Sequence, residues 1–185
     1  MGGGFNMTYE ETRKIFTVLK TNYPQSFKGW DAEQSHHFLD LWAEAFKDEP
    51  VDIVVAAVKA IIYSDTREFA PNIAIVKDKI YQLSNPFQID ADQAWDLVYK
   101  ATCRGIYHAE EEFAKLPPEV QAGVGSPSQL REWAKMDSDV LQSVIGSNFK
   151  RGYSGRVAAK KEYDKLPSET KQMIEQIANG MKMIE

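Results

Sequence analysis

Two adjacent histidines, a lone cysteine, two serines beside glycines and a run of cations are the residues here whose chemistry depends most on spacing. His36 and His37 are neighbours. On a helix they project about 100° apart, so they cannot share a metal ion. The zinc-helix pattern His-Glu-x-x-His is missing, and Cys103 has no second thiol with which to form a site or an internal disulfide. A single thiol fits a reducing cytoplasm, and Cys103 reads as a small buried apolar residue. Ser126 and Ser147 lie near glycines, but neither sits in a nucleophile elbow. No Gly-Lys-Ser or Gly-Lys-Thr phosphate loop and no glycine-rich dinucleotide turn is present. The reading is therefore a non-enzyme, with no catalytic residue, no cofactor, no metal and no small-molecule substrate.

Binding chemistry remains. Residues 148–161 carry Lys150, Arg151, Arg156, Lys160 and Lys161 without an acidic residue, interleaved with Phe149 and Tyr153. Lys150, Arg151, Tyr153, Arg156, Lys160 and Lys161 form a candidate surface for nucleic acid or an acidic partner. The competing reading is a solvated helix face balanced by Glu162 and Asp164. The net charge of −5 argues against a protein that coats DNA nonspecifically. Trp30, in the loop Phe27-Lys28-Gly29-Trp30, is the candidate exposed interface aromatic. Trp42, Trp95 and Trp133 fall on apolar stripes and read as core.

The elements that must position these residues are helical throughout. Thr8 with Glu11, Asp31 with Gln34 and Asp90 with Gln93 have capping-box spacing. Behind the first box, Thr12, Ile15, Phe16, Leu19 and Tyr23 form one stripe, which Pro24 ends. Behind the second come Phe38, Leu41, Trp42, Ala45 and Phe46. Pro50 suits the first turn of a third helix carrying Val51, Val54, Val55, Val58, Ile61 and Ile62. Its β-branched content suggests a strand, but spacing and length favour a helix. Asn72 is a good N-cap for a fourth, with Ile73, Val76, Ile80 and Leu83 on one face. Four such helices in about 80 residues make a small bundle.

Asn85-Pro86-Phe87 reads as a boundary, giving a four-helix bundle over residues 1–85 and a second helical part over 86–185. The second part starts with Ala94, Trp95, Val98, Ala101 and Thr102 on one face, with Gly105 as the stop. Leu116-Pro117 and Leu166-Pro167 repeat one local device: a helix, a leucine anchor and a proline restart. Ser126-Pro127 opens a helix through Leu130 and Trp133. A longer helix from Ser138 to about Tyr163 is expected to pack Val140, Val144, Ile145, Phe149 and Tyr153 inward, with its middle weakened at Gly152 and Gly155, where a bend is expected. The last helix, from Ser168 to about Met181, puts Met173, Ile174 and Ile177 on its apolar side.

With 43% hydrophobic and 26% charged residues the chain is globular rather than disordered. Its longest greasy run, Val51 to Tyr63, is broken by Asp52 and Lys59 and falls short of the ~20 apolar residues of a membrane span. Met1 to Asn6 has no signal-peptide pattern. It begins like a myristoylation site, but Asn6 stands where Ser or Thr is required. The reading is a remnant or an upstream start, with Met7 as the natural beginning and the host bacterial cytoplasm as the location.

The N-terminal part resembles the phage-encoded helicase loader and inhibitor family. The similarity is carried by Thr8-x-x-Glu11-Thr12, Tyr23-Pro24, Leu41-Trp42-Ala43-Glu44-Ala45-Phe46, Pro50 through Val58 to Tyr63, and Phe69-Ala70-Pro71-Asn72-Ile73-Ala74. The remainder is similar to C-terminal regions of replication proteins in Gram-positive phages and prophages, through Glu111-Glu112-Phe113-x-x-Leu116-Pro117-Pro118-Glu119-Val120-Gln121 and Gln129-Leu130-Arg131-Glu132-Trp133-Ala134. The resemblance implies an accessory protein of DNA replication in a bacteriophage or prophage. It would bind a replicative helicase, or another host or phage replication protein, by protein–protein contact and restrain or load it without being an ATPase. Two alternatives stay open: DNA binding through residues 148–161, and inhibition of another host factor such as a defence nuclease.

Overall fold

The computed structural model describes residues 7–64 and 66–182, with side chains through residue 180. The reading of Met1 to Asn6 lies outside the described residues. The fold is all-α, and no strand forms among the described residues. Two compact units emerge: the described residues up to Pro86 together with those from Tyr163 onward, and Phe87–Glu162.

The first unit begins with α1 (Tyr9–Asn22), a 3₁₀ turn (Pro24–Phe27), α2 (Ala32–Phe46), α3 (Val51–Ser64) and α4 (Ile73–Ser84). Thr8 and Asp31 open α1 and α2 as complete capping boxes with Glu11 and Gln34, and the Asn72 side chain accepts the Ile75 amide at α4. These caps satisfy amides that helix geometry leaves without partners. α3 is helical despite its valines and isoleucines, and it buries Val54, Ala57, Val58 and Ile61. They join Ile15, Phe16, Leu19, Trp42, Phe46, Val76 and Ile80 in one core. Leu41 is 58% exposed, a departure from the expected stripe. It lies about 100° from the centre of the face defined by Phe38, Leu39, Trp42 and Phe46, and Leu39 is buried instead. Leu83, in the last turn of α4, is also exposed.

In the second unit α5 (Ala91–Thr102) starts from the Asp90–Gln93 capping box. It is followed by α6 (Gly105–Lys115), α7 (Pro118–Val124) and α8 (Pro127–Ala134). Gly105 does not merely stop α5; it opens α6, buried against Ala134 and Leu130. Leu116 is a buried anchor between α6 and α7. α9 (Ser138–Val140), a π-helical turn (Leu141–Ile145) and α10 (Gly146–Asp164) then follow without a break. Phe149 and Tyr153 are buried, but Val140 and Val144 are about half exposed, contrary to expectation. In an unbroken α-helix Gln142 would share the Phe149 face; the wider turn brings Leu141 there instead and leaves both valines outside. Cys103 is exposed rather than buried, because it caps α5 at its C-terminal end with its thiol toward the Tyr99 carbonyl.

The last helix, α11 (Ser168–Lys182), belongs to the first unit. None of its described side chains is buried, and the expected apolar face of Met173, Ile174 and Ile177 is exposed.

Candidate interaction surfaces

The serines beside glycines do structural work. Ser126 caps α8 by accepting the Gln129 amide, and the Ser147 hydroxyl donates to the Ser143 carbonyl. His36 faces the Tyr9 hydroxyl at 3.2 Å and Asp40 at 3.6 Å, while His37 faces Glu33. All three of these histidine partners are side chains on exposed helix surface, as expected for solvated imidazoles. No group of His, Cys, Asp and Glu that could hold a metal ion occurs among the described residues. No helix among them is long and apolar enough to cross a membrane.

The basic run is less coherent in space than in sequence. At about 100° per residue, Lys150 and Lys161 share one side of α10, Arg151 points about 100° away, and Arg156 and Lys160 lie on a third side. Lys150 is already paired with Asp92 at 3.0 Å. Arg156 folds back so that its guanidinium lies over Gly152 and beside Gly123. Tyr153 is not a surface residue: it is 3% exposed, stacks on Phe149, and donates its hydroxyl to the Ile89 carbonyl at 3.2 Å. Arg151, Arg156 and Lys160 are the exposed members of the set, and Lys161 is half-buried. The structure therefore distributes these cations around a helix rather than aligning them along one groove.

Trp30 is half-buried, not the free aromatic that its loop suggested. It completes an aromatic cluster, with ring centroids 4.9 Å from Phe27, 5.7 Å from Phe38 and 6.5 Å from Phe16. Gly29, at φ +78°, makes the turn that carries the indole back onto this core. The exposed aromatics of the first unit are elsewhere. Tyr63, in the last turn of α3, is 83% exposed, and Phe69, in the connection to α4, is 67% exposed. Exposed aromatics of this kind are the side-chain types that commonly anchor protein interfaces.

Sequence spacing missed two charged positions. Lys77 is 6% exposed, its ammonium 2.8 Å from Glu49 and over the Phe46 ring at 5.1 Å. Asp48 accepts the backbone amide of Ser168 at 2.7 Å. One signal was present: with Pro167 in the cap position, α11 has no side-chain cap of its own.

Among known families, that of the N-terminal domain of gp39P, a phage helicase loader and inhibitor, matches residues 7–77. No curated protein matches the chain, and no solved structure does.

Proposed function

Since residues 7–77 match the model of the gp39P N-terminal domain family, that of a phage helicase loader and inhibitor, we propose that this protein binds a replicative helicase and restrains or loads it by protein–protein contact, without catalysis. The observation that carries the reading is the coincidence of the family match with the continuous core of α1 to α4. The exposed Tyr63 and Phe69 supply anchor side chains on that same domain. The C-terminal similarity to phage replication proteins is part of the same proposal.

The test is a pull-down from host lysate with the tagged protein, with and without nuclease. A replicative helicase retained after nuclease treatment is the expected result. Recovery of an unrelated host protein would make the chain an inhibitor of another factor on a loader-type fold.

A second reading rests on the acid-free run 148–161: direct DNA contact by Arg151, Lys160 and their neighbours. It requires affinity that falls steeply with salt and a loss on charge reversal at Lys160 and Lys161. The pairing of Lys150 with Asp92 and the spread of cations around α10 weigh against it.

A further inference from the structure

α11 lacks the usual reasons for a helix to be stable. It buries none of its described side chains, and its cap position is occupied by Pro167, which offers no side-chain acceptor. Fifteen residues is near the length at which an isolated helix is only marginally formed in water. What it has, among the described residues, is a fastening at its N-terminal end. Asp48, on the turn between α2 and α3, accepts the Ser168 amide at 2.7 Å and acts as a helix cap supplied from elsewhere in the chain. Lys47 pairs with Glu169 one residue further on. Lys165, just ahead of the helix, pairs with Asp78 of α4 at 2.6 Å. Beyond the first turn the contacts among the described residues run to its own lead-in: Tyr163 donates to Glu175 at 2.9 Å, and Lys171 to the Asp164 carbonyl at 2.8 Å.

We propose that α11 is a detachable arm, folded while Lys47, Asp48 and Asp78 clasp its N-terminal end and unfolded when that clasp opens. Each clasp contact is polar; the Lys47 and Asp48 contacts border solvent, whereas Lys165 is 13% exposed and reaches a buried oxygen of Asp78. Lys47 and Asp48 lie within the family-matched domain, so a partner that takes this corner competes with the arm for it. The arm proposal itself stands whether or not that partner is a helicase.

Hydrogen exchange on the full chain tests it. Losing a cap of this kind corresponds to roughly a tenfold change in local opening. In Asp48→Ala and in Lys165→Ala, amides of residues 169–180 should exchange about tenfold faster, while those of Leu19 and Val58 keep their protection. Asp48→Asn, which retains an acceptor oxygen, should stay near the unsubstituted chain. Unchanged exchange in both the Asp48→Ala and the Lys165→Ala protein would overturn the proposal. So would full exposure of the α11 amides in the unsubstituted chain.

Discussion

Gly146 lies directly beneath the indole of Trp95: a Cβ on Gly146 would sit 2.8 Å from the ring's Cε2 and 3.0 Å from its Nε1. Trp95 is 8% exposed and also packs on Trp133 and Phe149, so the ring has nowhere to move. The glycine that follows the π-helical turn is therefore there for close approach, not for a turn.

Gly146→Ala should destabilise the second unit by about 1–3 kcal/mol, as other overpacked cores are destabilised. Gly155→Ala is the matched control. It is on the same helix with nothing within 4 Å of its Cβ position, and it should gain up to about 1 kcal/mol from helix propensity. Denaturant unfolding of the two variants should move in opposite directions. Equal destabilisation would mean that α10 tolerates no side chain at either glycine, for a reason other than Trp95.

The pH behaviour of the arm follows from Asp48. The Ser168 amide donating to it holds its carboxyl below the ordinary value of 3.8. A lowered pKa means the stabilisation is fully present above pH 3.8 and is lost as pH falls through the lower folded value. Lys47 is shifted the other way, above 10.5, by its hydrogen bond to Glu169, so on the alkaline side its contribution is lost as pH rises beyond that. Lys77 also faces Asp48 and adds to the lowering of its carboxyl. The arm should therefore hold from about pH 4 to pH 10 and loosen in acid. Hydrogen exchange of α11 down to pH 3 checks this; the Asp48→Ala protein should show a smaller acid step than the unsubstituted chain.

The helices were legible because the signals that start them are local. The Thr8–Glu11, Asp31–Gln34 and Asp90–Gln93 boxes and the Asn72 cap each need only four residues of chain, and each forms as its spacing implies. Packing was less legible, since periodicity reports which side is apolar and not whether anything covers it. Met173, Ile174 and Ile177 form a sound stripe that stays exposed, and Val144 falls outside because a π turn resets the helix register. The binding residues were the least legible. A cation run read linearly looks continuous, whereas a helix scatters Lys150, Arg151 and Arg156 to three sides. Asp48 and Ser168 are 120 positions apart, a separation no local pattern reports.

Lys77 gives a test of buried charge in the family-matched domain. Its ammonium is held by Glu49 and lies over Phe46, with the aliphatic stem inside the core. Lys77→Ala removes the stem packing and leaves Glu49, 22% exposed, without its cation; a loss of about 3–5 kcal/mol is expected. Lys77→Met keeps the volume, and paired with Glu49→Gln it should recover most of that loss. Thermal unfolding of the single and double variants measures the coupling. Full additivity would show that the pair contributes no interaction energy.

Trp30 separates a structural role from a binding one. Its contacts with Phe16, Phe27 and Phe38 are the edge and stacked pairings that add about 0.5–1.5 kcal/mol each beyond area burial. Trp30→Ala should therefore cost about 2–4 kcal/mol of stability in the first unit, at the lower part of the range for a large aromatic because the ring is only half-buried. Tyr63→Ala and Phe69→Ala remove side chains that are 83% and 67% exposed, so they should shift stability by less than about 0.5 kcal/mol. If the two exposed aromatics anchor the partner, their double variant fails to retain the helicase in a pull-down while melting like the parent. Trp30→Phe, which restores most of the ring contact, should retain it. The opposite pattern, with Trp30→Phe losing the partner at full stability and the double variant keeping it, would move the interface from the α3–α4 connection to the loop before α2.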